Sequence, residues 1–210
     1  MNFPFKFLLI PLLLLTSCGE NPKQVSSTER KAKGDVAFGG VFKINENEYF
    51  SSLFPQHVDE IIAQQIASQV YEGLVKLSAK DLSVLPSLAE KWDISKDAKS
   101  FTFHLRKGVT FHKDACFEKG IGREVNANDF KYCFEKLCTF NEDMNSGFYI
   151  FQDRVIGAKA YFESTKLGKP LKEGVTGIKV IDDYTLEIDL EYPYLGFLNI
   201  LTMPFTWVFP

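Results

Sequence analysis

The sequence has few of the residues from which metal and redox sites are built. Its 210 residues include four cysteines and three histidines. No Cys-x-x-Cys pair occurs, and no two histidines stand four residues apart, as they would on one face of a helix. Structural zinc sites depend on such closely spaced ligands. We therefore expect no metal site and no metal cofactor.

The motifs of the common catalytic machineries are also missing. The chain contains no Gly-x-Ser-x-Gly and no His-Glu-x-x-His, which mark many serine hydrolases and zinc proteases. The pair Gly39-Gly40 is not followed by Gly-x-Gly-x-x-Gly, so it does not indicate a phosphate-binding turn. His104 and His112 stand near a predicted strand end, where a surface or packing role is usual. We predict that the protein is not an enzyme and uses no cofactor.

Positive charge is not in excess over the chain as a whole. The 24 lysines and arginines are outnumbered by 27 aspartates and glutamates, which gives a net charge of −3. No basic stripe with interleaved aromatic residues occurs, and such a stripe is what phosphate backbones attract. The sequence therefore predicts no nucleic-acid partner. Its length allows one large or two small domains, each with a real core.

A hydrophobic run long enough to cross a membrane is absent as well. The longest N-terminal run, Phe7–Leu15, has nine residues and contains Pro11, whereas a spanning helix needs about 20 apolar residues. Lys6 precedes the run, and this order is typical of a secretory signal. The following Leu15-Thr-Ser-Cys18 resembles the bacterial lipobox, at which the cysteine is acylated and the chain is cut before it. We predict a lipoprotein signal peptide over residues 1–17 and a lipid on Cys18; the alternative is a plain secretory signal with a coincidental cysteine.

The segment after Cys18 is polar and almost free of large apolar residues. Residues 19–35 read GENPKQVSSTERKAKGD. Such a composition cannot bury enough apolar surface to offset the entropy of ordering. We predict a flexible, lipid-anchored tether over residues 18–38, with an r.m.s. reach of about 20–25 Å.

Three cysteines remain for an oxidising compartment: Cys116, Cys133 and Cys138. Three thiols allow one disulfide at most. Cys133 and Cys138 lie five residues apart on a predicted helix and so point in different directions. A bond between Cys116 and one of them is the plausible pairing.

Helical and strand patterns alternate along the rest of the chain. The clearest is a helix that begins at Asn126, where Asp129 completes a capping-box pattern. Phe101, Phe103 and Leu105 alternate with polar residues, which predicts a strand with one solvated face. These patterns indicate an α/β protein with antiparallel pieces. The other predictions are strands over 41–44 and 74–77, a helix over 58–71, a helical turn over 86–92, an antiparallel pair of 92–94 with 100–105, and a hairpin of 177–181 with 185–190.

Four motifs in order resemble the solute-binding proteins of oligopeptide and dipeptide ABC importers, extracellular solute-binding family 5. They are Tyr71–Leu74, Leu85–Trp92, Phe101–His112 and Asn126–Phe130. The resemblance runs from about Gly40 to the last residue. One departure is an insertion that carries Cys116 and Gly120-Ile-Gly-Arg123 in place of the short turn usual after the second histidine. Family members are commonly more than twice as long as this chain.

The resemblance implies a class II periplasmic-binding-protein-like fold, in which hinge closure between two lobes traps a ligand. Residues 39–210 would form the first part of lobe one with its inserted subdomain, without the second lobe. We expect a truncated chain, because the apolar run Met203–Pro210 stops without a polar tail.

The implied function is that of a lipid-anchored, extracytoplasmic or periplasmic receptor. It would capture oligopeptides, dipeptides or a similar small solute and deliver them to an ABC permease. The implied ligand-binding segment lies just before the Tyr-Glu-Gly-Leu motif and offers backbone groups: Ile61, Ile62, Ala63 and Gln64. A core role for Ile61 and Ile62 is the structural alternative. An exported lipoprotein hydrolase and a ligandless structural or signalling relative remain open, and family members also take nickel chelates, opines and sugars.

Overall fold

The computed structural model describes residues 49–142 and 147–210, and residues 30–31, 37–38, 41, 43 and 45 of the N-terminal part. The chain divides into two units, residues 1–45 and 46–210. In the first unit, β1 (Arg30–Lys31) pairs antiparallel with β2 (Ala37–Phe38). Cys18, the predicted signal peptide and the rest of the predicted tether lie outside the described residues.

The buried strand predicted over 41–44 is wrong where it can be checked. Val41 is 83% exposed, and neither it nor Lys43 belongs to a strand. Phe42 and Ile44 lie outside the described residues. Across the part of the chain that the structure does describe, no helix has the length and apolar character needed to cross a membrane.

The second unit has six strands and four helices among its described residues, joined by 3-10 turns at 55–57, 118–120, 148–150 and 204–206. In chain order they are α1 (Ile61–Ala67), β3 (Val75–Leu77), β4 (Val84–Pro86), β5 (Ala89–Ile94), β6 (Ser100–Leu105), α2 (Ala127–Leu137), α3 (Ala158–Lys166), β7 (Ile178–Asp182), β8 (Thr185–Asp189) and α4 (Phe197–Ile200).

One four-stranded sheet organises this unit, in the antiparallel order β5-β6-β8-β7. The central strand β6 alternates as its sequence predicts: Phe101, Phe103 and Leu105 are buried, and the residues between them are half-buried. Phe103 lies opposite Leu186 and Phe101 opposite Ile188, so the apolar faces of β6 and β8 coincide. The predicted β5–β6 pair and the β7–β8 hairpin are confirmed.

Helix α2 covers the apolar face of this sheet and forms as predicted. The side chain of Asn126 accepts from the Asn128 amide at 2.9 Å, and the Asp129 carboxylate accepts from the Asn126 amide at 2.8 Å. The capping box is therefore complete. Phe130 and Phe134 are fully buried, and burial of each such side chain contributes about 1.5–3 kcal/mol.

The helical turn predicted over 86–92 is wrong. Pro86 is the last residue of β4, where it pairs with Val75 of β3. A proline is acceptable at this strand end because no ladder hydrogen bond needs its missing N–H. The amides of Ser87 and Ala89 both donate to the Leu74 carbonyl, at 3.2 and 3.0 Å. These bonds hold the chain extended as it passes into β5.

The helix predicted over 58–71 is shorter than its pattern. Val58 lies outside α1, and the chain leaves the helix at Ser68. Residues Val58, Ala63 and Ala67 form a small second cluster with Trp207. The segment thus packs on the end of the chain, and α1 provides the surface on which the predicted ligand-binding residues lie.

Candidate functional site

The four residues predicted to bind a ligand occupy the first turn of α1 and have different environments. Ile61 is 73% exposed, whereas Ala63 is completely buried. Ile62 and Gln64 are half-buried. The side chain of Ala63 therefore belongs to the core. The structural alternative, a core role for Ile61 and Ile62, is wrong for Ile61, because its side chain faces solvent.

The backbone of this turn offers hydrogen-bond donors. Helical bonding starts with the Gln64 amide, which donates to the Glu60 carbonyl at 3.0 Å. The amides of Ile61 and Ile62 precede that bond, and no acceptor for them is found among the described residues. Glu60 makes no side-chain cap. The first N–H groups of a helix remain available in this way unless something caps them.

Gln64 is engaged within its own segment. Its Nε2 donates to the Val58 carbonyl at 3.3 Å and lies 3.5 Å from the Asp59 carbonyl. The amide group thus fixes the extended chain that enters the helix. Its contribution is to hold the shape of the turn.

A surface cavity of about 430 Å³ opens beside α1, and we call it the α1 cavity. Most of its apolar lining comes from the end of the chain, and most of its polar lining comes from α1 and the residue that follows it. The lining residues are Ile61, Gln64, Gln65, Ser68, Leu77, Thr202, Met203, Pro204, Phe205 and Trp207.

The end of the chain holds α1 and the following loop in place. The Val208 amide donates to the Glu72 carbonyl at 3.0 Å. The ring of Trp207 lies so close to Gly73 that a Cβ there would stand 3.0 Å from its Cδ1 atom. The packing of Trp207 therefore favours glycine at this position of the Tyr-Glu-Gly-Leu motif.

A second set of contacts joins this region to α2. Gln56 Nε2, a buried amide, donates to the Cys133 carbonyl at 2.7 Å. The Phe209 amide and carbonyl both lie 3.4 Å from Cys133 Sγ. Phe54 packs on Phe209 with ring centroids 4.6 Å apart. The chain that leads into α1 is thus attached to α2, and so is the end of the chain.

A second surface cavity, of about 350 Å³, lies under the insertion and is here called the insertion cavity. Aromatic and aliphatic side chains form its walls, and polar side chains stand around them. Its lining residues are Val70, Tyr71, Glu72, Leu88, Val109, Thr110, Phe111, His112, Asp114, Cys116, Phe117, Val125, Val208 and Pro210.

Arg123 fastens the insertion to α2. Its guanidinium makes a two-pronged ion pair with the buried Asp129 carboxylate, 2.8 Å from Nη1 to Oδ2 and 2.5 Å from Nη2 to Oδ1. The same guanidinium lies 5.1 Å from the centre of the Phe111 ring, and Phe111 stacks on Phe117 at 5.9 Å. The hydrogen bond to Asp129 raises the pKa of Arg123. Gly122 is required here, since a Cβ would lie 1.9 Å from the Phe111 carbonyl oxygen.

The disulfide expected between Cys116 and a second cysteine is wrong: all three described thiols are free. Cys116 is exposed in the insertion, whereas Cys133 and Cys138 are buried. Burial raises the pKa of Cys133 to about 12 and also raises the pKa of Cys138. Cys133 points at Phe209 and is not available to Cys116. Among the described residues no group of three or more His, Cys, Asp or Glu side chains could hold a metal ion.

The sequence motifs and this geometry agree with a family comparison. Residues 83–209 match the model of the bacterial extracellular solute-binding proteins, family 5, middle region. The chain belongs to this family. Members of family 5 are binding proteins and not enzymes, which supports the same reading of this chain at the level of the family.

Family 5 relatives of known name include peptide-binding proteins. The dipeptide-binding protein of Escherichia coli is 35% identical over 65% of this chain and 23% of its own length. Heme-binding protein A of Haemophilus influenzae is 34% identical over 94% of this chain and 34% of its own. A periplasmic oligopeptide-binding protein of Borrelia burgdorferi, solved by crystallography, superposes with a TM-score of 0.63 at 26% identity over 76% of this chain and 29% of its own.

The fold predicted from the motifs is confirmed by these relatives. The mixed helix and sheet structure matches oligopeptide-binding proteins of the periplasmic-binding-protein class. The chain spans between about a quarter and a third of the length of the family 5 relatives described here.

Sequence reasoning placed the α1 segment but missed the insertion cavity. It treated Asp129 as part of a cap only, and it noted Arg123 only as part of an insertion. The available signal was a pair of aromatic residues: Phe111, which precedes the insertion, and Phe117, which lies within it. That they stack on each other is a tertiary contact, which their spacing does not reveal.

Proposed function

We propose that this protein is the lipid-anchored, extracytoplasmic substrate-binding component of an ABC importer. It captures oligopeptides or dipeptides and delivers them to the permease in the membrane. The observation that carries this proposal is the family 5 match over residues 83–209 together with relatives named for dipeptides and oligopeptides. The lipid on Cys18 would keep the receptor beside its permease.

The geometry of α1 supports a role in peptide capture. An extended peptide is held largely by main-chain hydrogen bonds, which tolerate many side chains. The amides of Ile61 and Ile62 are donors without an acceptor in the described chain, and Ile61 and Gln64 line the α1 cavity. We assign Ile61, Ile62, Ala63 and Gln64 as the ligand segment: the first residues offer backbone groups, and Gln64 fixes the turn through Val58.

Identification of the cargo tests the proposal directly. Native mass spectrometry of the full-length protein purified from its host should show a family of peptide masses that leaves on denaturation. A haem mass instead would point to the ligand for which the Haemophilus relative is named.

Calorimetry with a peptide pool should give saturable binding without turnover; hydrolysis of the pool would favour the rival, an exported lipoprotein hydrolase. Absence of any bound or titrated ligand would favour a ligandless relative.

A backbone donor can be removed at Ile61 with little damage to the helix. Ile61 is the first helical residue, a position that proline accepts, and Glu60 before it already has the extended conformation that proline requires, with φ −78° and ψ 140°. We expect Ile61→Pro to weaken peptide binding about three- to ten-fold, the usual range for one hydrogen bond. Ile61→Ala keeps the N–H and is the matched control. Equal affinity of the two variants would remove the backbone amide of Ile61 from the site.

The anchor is tested separately from the cargo. Cells grown with labelled palmitate should incorporate the label into the wild-type protein and not into Cys18→Ala. Label retained by Cys18→Ala would show that acylation occurs elsewhere and would leave the binding proposal unaffected.

A further inference from the structure

The insertion cavity combines apolar walls with an acidic rim. Tyr71, Phe111 and Phe117 are half-buried and present ring surface, while Glu72 and Asp114 are exposed at the edge. Its volume of about 350 Å³ lies in the range of small-molecule pockets. Such a combination suits a ligand with an apolar body and a polar end.

The charged side chains that line this cavity are both acidic. The residues that line it include two carboxylates and no lysine or arginine. The guanidinium of Arg123 lies on Phe111 and is already paired with Asp129, and the Nε of Arg106 donates to the Ser87 carbonyl. His112 also lines the cavity, and its Nε2 lies 3.4 Å from the Val70 carbonyl. The rim therefore attracts positive charge.

Local hydrogen bonds hold the two acids in place and keep one of them ionised. Asp114 Oδ1 accepts from the Cys116 amide at 2.9 Å, and this bond lowers the pKa of the Asp114 carboxyl. Glu72 Oε1 accepts from the Ser87 hydroxyl at 3.3 Å. Desolvation and the neighbouring Asp114 raise the pKa of the Cys116 thiol, so the thiol stays protonated. The rim is a fixed feature of the fold.

We propose that the insertion cavity binds an organic cation with an aromatic or aliphatic body and a charged amine. The body lies against Phe117 and Phe111, and the ammonium lies at the rim beside Glu72 and Asp114. Aromatic faces stabilise a nearby ammonium further. This site is distinct from the α1 segment: the insertion that builds it is a departure from the family pattern, and the inference does not depend on peptide transport.

Phenethylamine is a suitable probe, with 2-phenylethanol as its neutral analogue and 3-phenylpropionate as an anionic one. Each is titrated into the full chain and followed by calorimetry or ligand-observed NMR. The amine should bind most tightly, the alcohol more weakly and the acid weakest. Added salt should weaken the binding of the amine alone, because only the amine is attracted by the charge of the rim.

Three charge-neutralising variants identify the site. Glu72→Gln and Asp114→Asn should each weaken binding of the amine about two- to five-fold, the range for exposed ion pairs. Both should leave the affinity for the alcohol unchanged. Glu118→Gln removes the same charge from the same insertion but from a residue that does not line the cavity, so it should change nothing. Phe117→Ala should weaken all the probes. Because Glu72, Asp114 and Glu118 are exposed, their variants should keep the wild-type unfolding midpoint.

Two results would overturn the inference. One is equal binding, or no binding, of the three probes. The other is a loss of amine affinity in Glu118→Gln as large as that in Glu72→Gln, which would reduce the effect to the overall charge of the chain.

Discussion

Two regions of this molecule differ in how completely they bury their apolar residues. The sheet body, formed by β5–β8 with α2 and α3, contains Phe101 and Phe134 at zero exposure. The α1 strip, formed by residues 55–73 and 201–210, leaves Ile61 73% and Val70 48% exposed. The strip forms most of the lining of the α1 cavity and part of the lining of the insertion cavity. The body thus contains several of the largest fully buried side chains, and the strip carries surface on which ligands are expected.

The largest expected effect breaks the body. Phe134 is fully buried on α2, with its ring centroid 5.3 Å from Phe151. We expect Phe134→Ala to lower the free energy of unfolding by about 3–5 kcal/mol, because a large cavity remains. Denaturant unfolding measures this loss. Ile61→Ala, at a residue of the α1 strip that is 73% exposed, is the control and should change the free energy by about 0.5 kcal/mol or less. Similar losses in both variants would contradict the division into a buried body and an exposed strip.

The next effect is on the junction between the body and the insertion. The Asp129 carboxylate accepts hydrogen bonds from both the Arg123 guanidinium and the Asn126 amide. Asp129→Ala removes the ion pair and half of the capping box, and we expect a loss of about 2–3 kcal/mol, below the full cost of a broken buried pair because Arg123 is half exposed. Asp153→Ala removes an exposed pair with Lys159 and should cost about 0.5 kcal/mol or less. A loss in Asp129→Ala no larger than that of the control would show that the pair is not coupled to folding.

A smaller effect separates the strip from the body. Gln56→Ala deletes the donor to the buried Cys133 carbonyl and should cost about 1–3 kcal/mol. Gln65→Ala is the same substitution on exposed α1 and should cost about 0.5 kcal/mol or less. Hydrogen exchange sharpens the comparison: in Gln56→Ala the amides of α1 should exchange faster, while those of β6 stay protected. Uniform acceleration across both regions would show that strip and body open together.

The contrast between the two regions also explains what the sequence could predict. In the body, local pattern and tertiary environment agree: alternation gave β6, and the capping box gave the start of α2. In the strip they disagree. The helical period over 58–71 includes Val58, which packs beside Trp207 from more than a hundred residues away rather than in the helix.

The insertion was beyond sequence reasoning for the same reason. Its cavity depends on Arg123 reaching Asp129 and on Phe111 stacking with Phe117, and each is a contact of one specific folded arrangement. Pro86 is ambiguous in the sequence because proline opens helices and also ends strands, and only its pairing with Val75 decides between the two.

The smallest effect concerns the thiols and leaves stability almost unchanged. Cys116→Ser should alter the free energy of unfolding by about 0.5 kcal/mol or less, because the side chain is exposed. Iodoacetamide should label Cys116 in the folded protein and reach Cys133 and Cys138 only after unfolding, as peptide mass mapping would show.

A raised pKa means less thiolate at pH 8, so labelling of Cys116 should be slower than that of an unperturbed cysteine and should accelerate as the pH rises through its pKa. Asp114→Asn removes a charge that raises this pKa and should speed labelling at pH 8. A mapped disulfide between Cys116 and Cys133 would instead require the insertion to leave its place beside Phe111, and the two regions would no longer differ in the way described.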